Sequence, residues 1–239
     1  MATIIHIETS TDVCSAALSK DGECLFHEES TNDGVAQGRR SGPNHARVLA
    51  PMVEEMVSMA DSHAIPIDAV AVSGGPGSYT GLRIGASTAK GLCYGRNLRL
   101  ISVPTLQLLC TPVLLYREDI PEEALLCPMI DARRMEVYAA VYDRALREVR
   151  GVGADIVTAE TYLPYLERGP VCFFGNGAQK CKAVITHPNA IFLSDVVPLA
   201  KDMVPLAERA FLQGRFEDTA YYEPFYLKDF VAGTPRKLF

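Results

Sequence analysis

AVAVSGGPGSYTGLRIGASTAKGLCYG, residues Ala69 to Gly95, is the stretch from which the fold of this chain can be read. Ala69 to Val72 is a short apolar run suited to a buried strand. Gly74, Gly75, Pro76 and Gly77 then interrupt it, since this composition continues neither a strand nor a helix. Ser78 or Thr80 is placed to cap a following helix, because a hydroxyl accepts from the free amides of a first turn. On that helix Gly81, Gly85 and Ala89 recur every four residues and share one face. A face without side-chain bulk predicts close approach of another backbone, and so a docking face. Two chemistries fit the glycine turn. A strand, a glycine turn and a helix N-terminus can cradle an anion, yet the phosphate-binding loop needs a Lys and a hydroxyl after its last Gly, and here Leu82 and Arg83 follow Gly81. The dinucleotide spacing G-x-G-x-x-G also fails: after Gly75 and Gly77 the third glycine arrives one residue late, at Gly81. The other reading is a tight turn whose glycines permit close packing. Local residues leave both open.

Working outward, 239 residues allow one large domain or two small ones. Hydrophobic residues make up 48% and charged residues 22%, enough apolar side chains for a full core. The net charge of −6 argues against a free-standing nucleic-acid binder, which carries a basic patch. The seven Cys are scattered without a C-x-x-C pair, which predicts reduced thiols rather than a zinc knuckle or redox pair. The opening MATIIHIETS lacks the basic region and apolar block of a secretory signal, and no run reaches the length of a membrane span. The expected location is the cytoplasm.

Thr3 to Glu8, Val13 to Ser19 and Glu23 to Glu29 read as three strands, with a hairpin signal at Asp21-Gly22. Thr31 to Gly42, with Arg39-Arg40, reads as a loop. A helix runs from Pro43 to about Ser62. Its apolar residues Leu49, Met52, Val53 and Met56 keep helical spacing, while Val48, Val57 and Met59 widen the stripe beyond one face. Such a helix sits deep in a core or docks a partner, and its methionines suit an adaptable contact. His45 has no second histidine at i+4, so it reads as a helix-start residue and no metal site is expected. Leu98 to Val103 is a further strand, and Pro104 opens a helix reaching about Tyr116. The Pro104 junction divides the chain into 1–103 and 104–239. Beyond it, Ala124 to Ile130 and Glu136 to Tyr142 are strands around a polar elbow, Asp131 to Arg134. Thr158 to Arg168 is read as a short helix broken by Pro164, Val171 to Phe174 as a strand, and Pro198 to Gly214 as a helix. Asp131, Arg133 and Arg134 form either a surface charge network or an anion contact.

The wording of five ordered blocks carries a resemblance across nearly the whole chain. SGGPGSYTGLRIG (Ser73 to Gly85) closely resembles the bacterial TsaB (YeaZ) family. IIHIETSTDVCSAAL (Ile4 to Leu18), MIDARRMEVYAAVY (Met129 to Tyr142), the loop Gly175-Asn176-Gly177 and YEPFYLKDF (Tyr222 to Phe230) also resemble it. Met135 stands where the family commonly has Gly, and Lys228 where it has Arg. The resemblance implies an α/β, actin-like ATPase (ASKHA) fold with two ribonuclease-H-like lobes, the second reduced, and Glu8 at the acidic position ending the first strand. It implies a non-catalytic platform subunit that binds TsaD. TsaD transfers threonylcarbamoyl to the adenosine beside the tRNA anticodon. It implies TsaE as a further partner, TsaC as the maker of the adenylate, tRNA met only through the complex, and a homodimer without TsaD. No cofactor is implied for the chain alone; ATP, metal and threonylcarbamoyl-adenylate belong to partner subunits. The implied partner face comprises Leu49, Met52, Val53, Met56, Gly81, Gly85 and Ala89, with Arg133 and Arg134 as anion contacts. Three rival functions stand beside it: a glycoprotease-type metallopeptidase, a small actin-like ATPase or kinase using Gly75 to Gly81, and a direct tRNA-binding module.

Overall fold

The computed structural model describes residues 1–30 and 45–228. The Arg39-Arg40 loop, Pro43, and Asp229 and Phe230 of the last family block lie outside them. Among the described residues ten strands form two five-stranded sheets, ordered β3-β2-β1-β4-β5 and β8-β7-β6-β9-β10. In the first, β1 (Thr3–Glu8), β2 (Cys14–Lys20) and β3 (Glu23–Ser30) are an antiparallel meander, while β4 (Ala69–Ser73) and β5 (Arg99–Val103) continue it in parallel. In the second, β6 (Leu125–Asp131), β7 (Glu136–Tyr142) and β8 (Glu148–Ile156) repeat the meander, and β9 (Val171–Phe174) and β10 (Ala190–Phe192) the parallel pair. The same order and the same pairing senses recur: the architecture is duplicated.

β1 and β4 are buried along their whole lengths, as expected for central strands covered on both faces. The 18-residue helices α1 (His45–Ser62) and α2 (Tyr79–Arg96) cover one face of the first sheet, packing Leu49, Met52, Met56, Ala86 and Ala89 over Ile5, Ile7, Val70 and Val72. Ser78 caps α2, its hydroxyl accepting from the Gly81 N–H at 3.3 Å, and Asn97 closes it in the left-handed conformation. The opposite face is covered by α6 (Val204–Leu212), whose Ala207 and Ala210 lie in one apolar cluster with Ile4, Ala71 and Ile101. This helix of the second half of the sequence therefore belongs by packing to the first sheet. α3 (Thr105–Tyr116) carries Leu106, Leu109 and Val113 onto the second sheet.

The second half's remaining helices are short. The helix expected over Thr158 to Arg168 is only the four-residue α4 (Leu163–Leu166), and Pro164 sits in its first turn rather than breaking it, where a missing N–H goes unneeded. α5 (Ala178–Cys181) is also four residues long. The helix expected from Pro198 is a 3-10 turn, Ala200–Met203, followed by α6, with Pro205 in the α6 first turn. Among the described residues no helix is long and apolar enough to cross a membrane.

Candidate functional site

The glycine turn is filled by the chain's own backbone. A β-carbon on Gly75, whose φ is +97°, would stand 2.6 Å from the Phe225 carbonyl oxygen, and one on Gly77 would stand 2.5 Å from that of Ser10. On α2, a β-carbon at Gly81 would overlap the Thr9 carbonyl and one at Gly85 the Thr9 hydroxyl. Thr9 Oγ1 donates to the Gly81 carbonyl at 2.8 Å, and the Ser78 N–H donates to the Ser10 carbonyl at 2.7 Å. The small-residue face of α2 thus receives the β1–β2 loop. The glycines of the turn are packed on the chain's own backbone.

Glu8 organises that loop from beneath. It is fully buried, and its Oε1 accepts from both the N–H and the hydroxyl of Ser10 at 2.5 Å. Its Oε2 is buried without a hydrogen-bond partner. Burial pushes the carboxyl up to about 7, partly opposed by the Ser10 hydrogen bonds. His45, at the start of α1, brings Nε2 within 2.9 Å of the Thr11 carbonyl and so ties this helix to the same loop.

Above the loop, between the two sheets, lies a cleft of about 560 Å³. Its walls come from five segments: the β1–β2 loop (Ser10, Thr11, Asp12), the start of α2 (Gly77 to Thr80), the β6–β7 hairpin with Arg133 and Tyr138, Asn176 in the loop after β9, and the C-terminal residues Phe225 to Lys228. In the turn Arg133 and Arg134 have φ of 70° and 50°, a left-handed pair that costs free energy in side-chain-bearing residues. Asp131 holds the turn, its Oδ1 accepting from the Arg133 N–H at 2.9 Å, while Asn176 Oδ1 accepts from the Asp131 N–H at 2.9 Å. Lys180 reaches both the Asp131 carboxylate and, at 2.6 Å, the Glu136 carbonyl. Neither Arg133 nor Arg134 has a carboxylate at ion-pair distance among the described residues. The C-terminal segment crosses the opening: Tyr226 packs on Tyr79 with centroids 4.9 Å apart, Arg83 lies 4.6 Å over the other ring of the pair, Tyr79, and Lys228 is ion-paired with Glu136.

The structure turns the residues of the expected partner face inward. Leu49, Met52, Val53, Met56 and Ala89 are between 0% and 8% exposed, and lie in the core over the first sheet. Gly81 and Gly85 face Thr9. The apolar stripe of α1 and the small-residue stripe of α2 are therefore the inner faces of these helices. The outer face of α2 carries Ser87, Gly91 and Gly95, where a β-carbon on either glycine would meet nothing within 4 Å, together with Tyr94, 89% exposed. Arg133 lines the cleft, and Arg134 is exposed next to it in the same turn. Tyr79, Asn176, Lys180, Tyr226 and Lys228 complete the site without having been singled out from sequence. Tyr79, Asn176, Tyr226 and Lys228 lie in the quoted blocks Ser73 to Gly85, Gly175 to Gly177 and Tyr222 to Phe230, and Lys180 in none of them.

The model of the family described as "TsaD: tRNA N6-adenosine threonylcarbamoyltransferase" matches residues 38–235. The tRNA threonylcarbamoyladenosine biosynthesis protein TsaB of Escherichia coli (strain K12) is 31% identical, over 96% of this chain and 96% of that one. The TsaB of Haemophilus influenzae is 27% identical, over 96% and 94%. The structure of YeaZ from Pseudomonas aeruginosa superimposes with a TM-score of 0.76 at 25% identity, covering 95% of this chain and all of that one. The duplicated sheet order is that of the actin-like fold, and the matches run the length of both partners. The chain belongs to the TsaB (YeaZ) family of tRNA threonylcarbamoyladenosine biosynthesis proteins.

Proposed function

We propose that this chain is a non-catalytic platform subunit of the assembly that forms threonylcarbamoyladenosine next to the tRNA anticodon, where it binds and supports TsaD. In this reading TsaE joins the complex, TsaC supplies the adenylate, tRNA is met only through the complex, and the chain pairs with itself when TsaD is absent. ATP, metal and adenylate are held by the partners. The observation that carries the reading is the match to the TsaB family along nearly the whole length of the chain. The outward faces of α1 and α2 form the docking surface, with Gly91 and Gly95 admitting a close backbone. Arg133 and Arg134 meet anionic groups at the complex junction. Depletion of the protein in its native host, followed by tRNA nucleoside analysis, tests the proposal. Loss of threonylcarbamoyladenosine is expected, and an unchanged level after full depletion removes the reading.

A small ATPase is the second reading, favoured by the hydroxyls of Ser10, Thr11, Ser78 and Thr80 sharing a cleft with Arg133. It requires steady ATP hydrolysis by the isolated chain. The platform reading expects none.

A further inference from the structure

We propose that residues 224–228 form a strap across the cleft mouth, fixed to the first lobe and detachable from the second. The fixed end is built from several buried or backbone attachments. Lys90 Nζ on α2 donates to the carbonyls of Ala220 and Tyr222 at 3.0 and 3.1 Å. Tyr222 is 8% exposed, and its hydroxyl lies 3.2 Å from Ser102 Oγ on β5. The Glu217 N–H donates to the Leu100 carbonyl at 2.8 Å, and the Phe225 N–H to that of Gly74 at 2.7 Å. Gly75 leaves room for the Phe225 carbonyl, so the strap lies directly on the glycine turn.

The far end is different in kind. Its ion pair to the second lobe joins Lys228 to Glu136 on β7, with side chains 45% and 21% exposed. An exposed pair is weak and is screened by salt, whereas the buried anchors are not. The strap therefore releases first from the second lobe and pivots on Phe225. Release swings residues 226–228 away, breaks the Tyr226 contact with Tyr79 on α2 as well, and widens the cleft between the Ser10–Thr80 wall and Arg133. The strap thus works as a gate whose latch is Lys228 on Glu136, and this holds whatever pathway the protein serves.

The chain contains no Trp, so Tyr226→Trp places a single indole against Tyr79 as a reporter. In that background Lys228→Glu is expected to raise the released population roughly three- to fivefold, the range of a partly exposed ion pair. The emission then shifts to the red and quenching by acrylamide increases. High salt shifts the parent reporter the same way and moves the Lys228→Glu reporter in the opposite direction, because it screens the repulsion by Glu136. Adding Glu136→Lys to Lys228→Glu restores the blue-shifted emission by re-forming the pair in reverse. Circular dichroism shows that each variant keeps its fold. An indole already water-exposed in the parent background, an emission indifferent to Lys228→Glu, or a charge swap without rescue each overturns the proposal.

Discussion

Thr9 and Gly81 hold each other twice. The Thr9 hydroxyl donates to the Gly81 carbonyl at 2.8 Å, and the Thr9 carbonyl occupies the space that a side chain on Gly81 would need. Through this contact the β1–β2 loop is locked on the first turns of α2, and one wall of the cleft is fixed. Gly91, nearly three turns further along the same helix, faces open space. Two helical glycines of identical propensity therefore have opposite roles.

Replacement by Ala separates them. Gly91→Ala gains helix propensity without a clash and is expected to stabilise the protein by about 0.5–1 kcal/mol. Gly81→Ala has the same gain but drives a methyl group into the Thr9 backbone, so a net loss of about 2–3 kcal/mol is expected. Urea unfolding of the two variants measures both. Equal shifts would show that the Thr9 contact yields freely.

A second expectation concerns pH. Burial raises Glu8 from 4.5 to about 7 and lowers His6 from 6.5 to about 3. The Glu8 contribution to stability is complete below about 4.5 and is lost as pH rises through about 7. The His6 contribution is present above about 6.5 and is lost as pH falls toward about 3. Between about 4.5 and 6.5 the two slopes oppose and nearly cancel. Glu8→Gln removes one of them, so its stability should climb by about 1.4 kcal/mol per pH unit across that window while the parent stays level. Denaturant titrations at pH 4.5, 5.5 and 6.5 decide it; parallel profiles would mean that Glu8 enters the fold already charged.

How far the sequence could be read follows from what each signal depends on. The opening meander, the Asp21-Gly22 hairpin and the β4–turn–α2 unit rest on local chemistry, and the structure places Asp21 and Gly22 at φ of 55° and 85°. The strand β8 escaped because Gly151 and Gly153 interrupt an edge strand that is mostly exposed, leaving little alternation to read. β10 is three residues long. The stripe at Gly81, Gly85 and Ala89 correctly announced a close backbone approach. The identity of that backbone was hidden, because Thr9 is some seventy residues away and spacing carries no address. Tyr226 and Lys228 were illegible for the same reason: their partners, Tyr79 and Glu136, lie on different lobes.

The β6–β7 turn offers a third test. Arg134 has φ of 50° without a carboxylate partner, so Arg134→Gly should stabilise the fold by about 1 kcal/mol through relief of the left-handed strain. If the pair meets anions in the complex, Arg133→Ala with Arg134→Ala should leave folding intact and weaken TsaD-complex assembly at low salt. The deficit should shrink as ionic strength rises. Assembly equal to the parent at every salt concentration would leave both residues as plain surface.

The final expectation places the partner face. The inner positions Met52 and Gly85 are core, so Met52→Asp buries an unpaired charge and Gly85→Arg collides with Thr9; both should lose cooperative unfolding before binding is measured. Outer positions discriminate better. Gly91 lies in open space, so Gly91→Arg should fold as the parent does, yet it places a long charged side chain where a partner helix must approach. A standard interface buries roughly 800 Å² per partner, and loss of a central contact weakens binding by about 2 kcal/mol or more. Since ~1.4 kcal/mol is tenfold in affinity, TsaD binding by Gly91→Arg should fall by more than tenfold. Tyr94→Ala, which removes the most exposed aromatic ring of α2, should act in the same direction without adding charge. Gly91→Ala sharpens the comparison, because it is expected to raise stability while lowering affinity, and no general loss of folding produces that pair of signs. Titration of each folded variant with TsaD reads the outcome. Parental affinity in both Gly91→Arg and Tyr94→Ala would move the interface off α2.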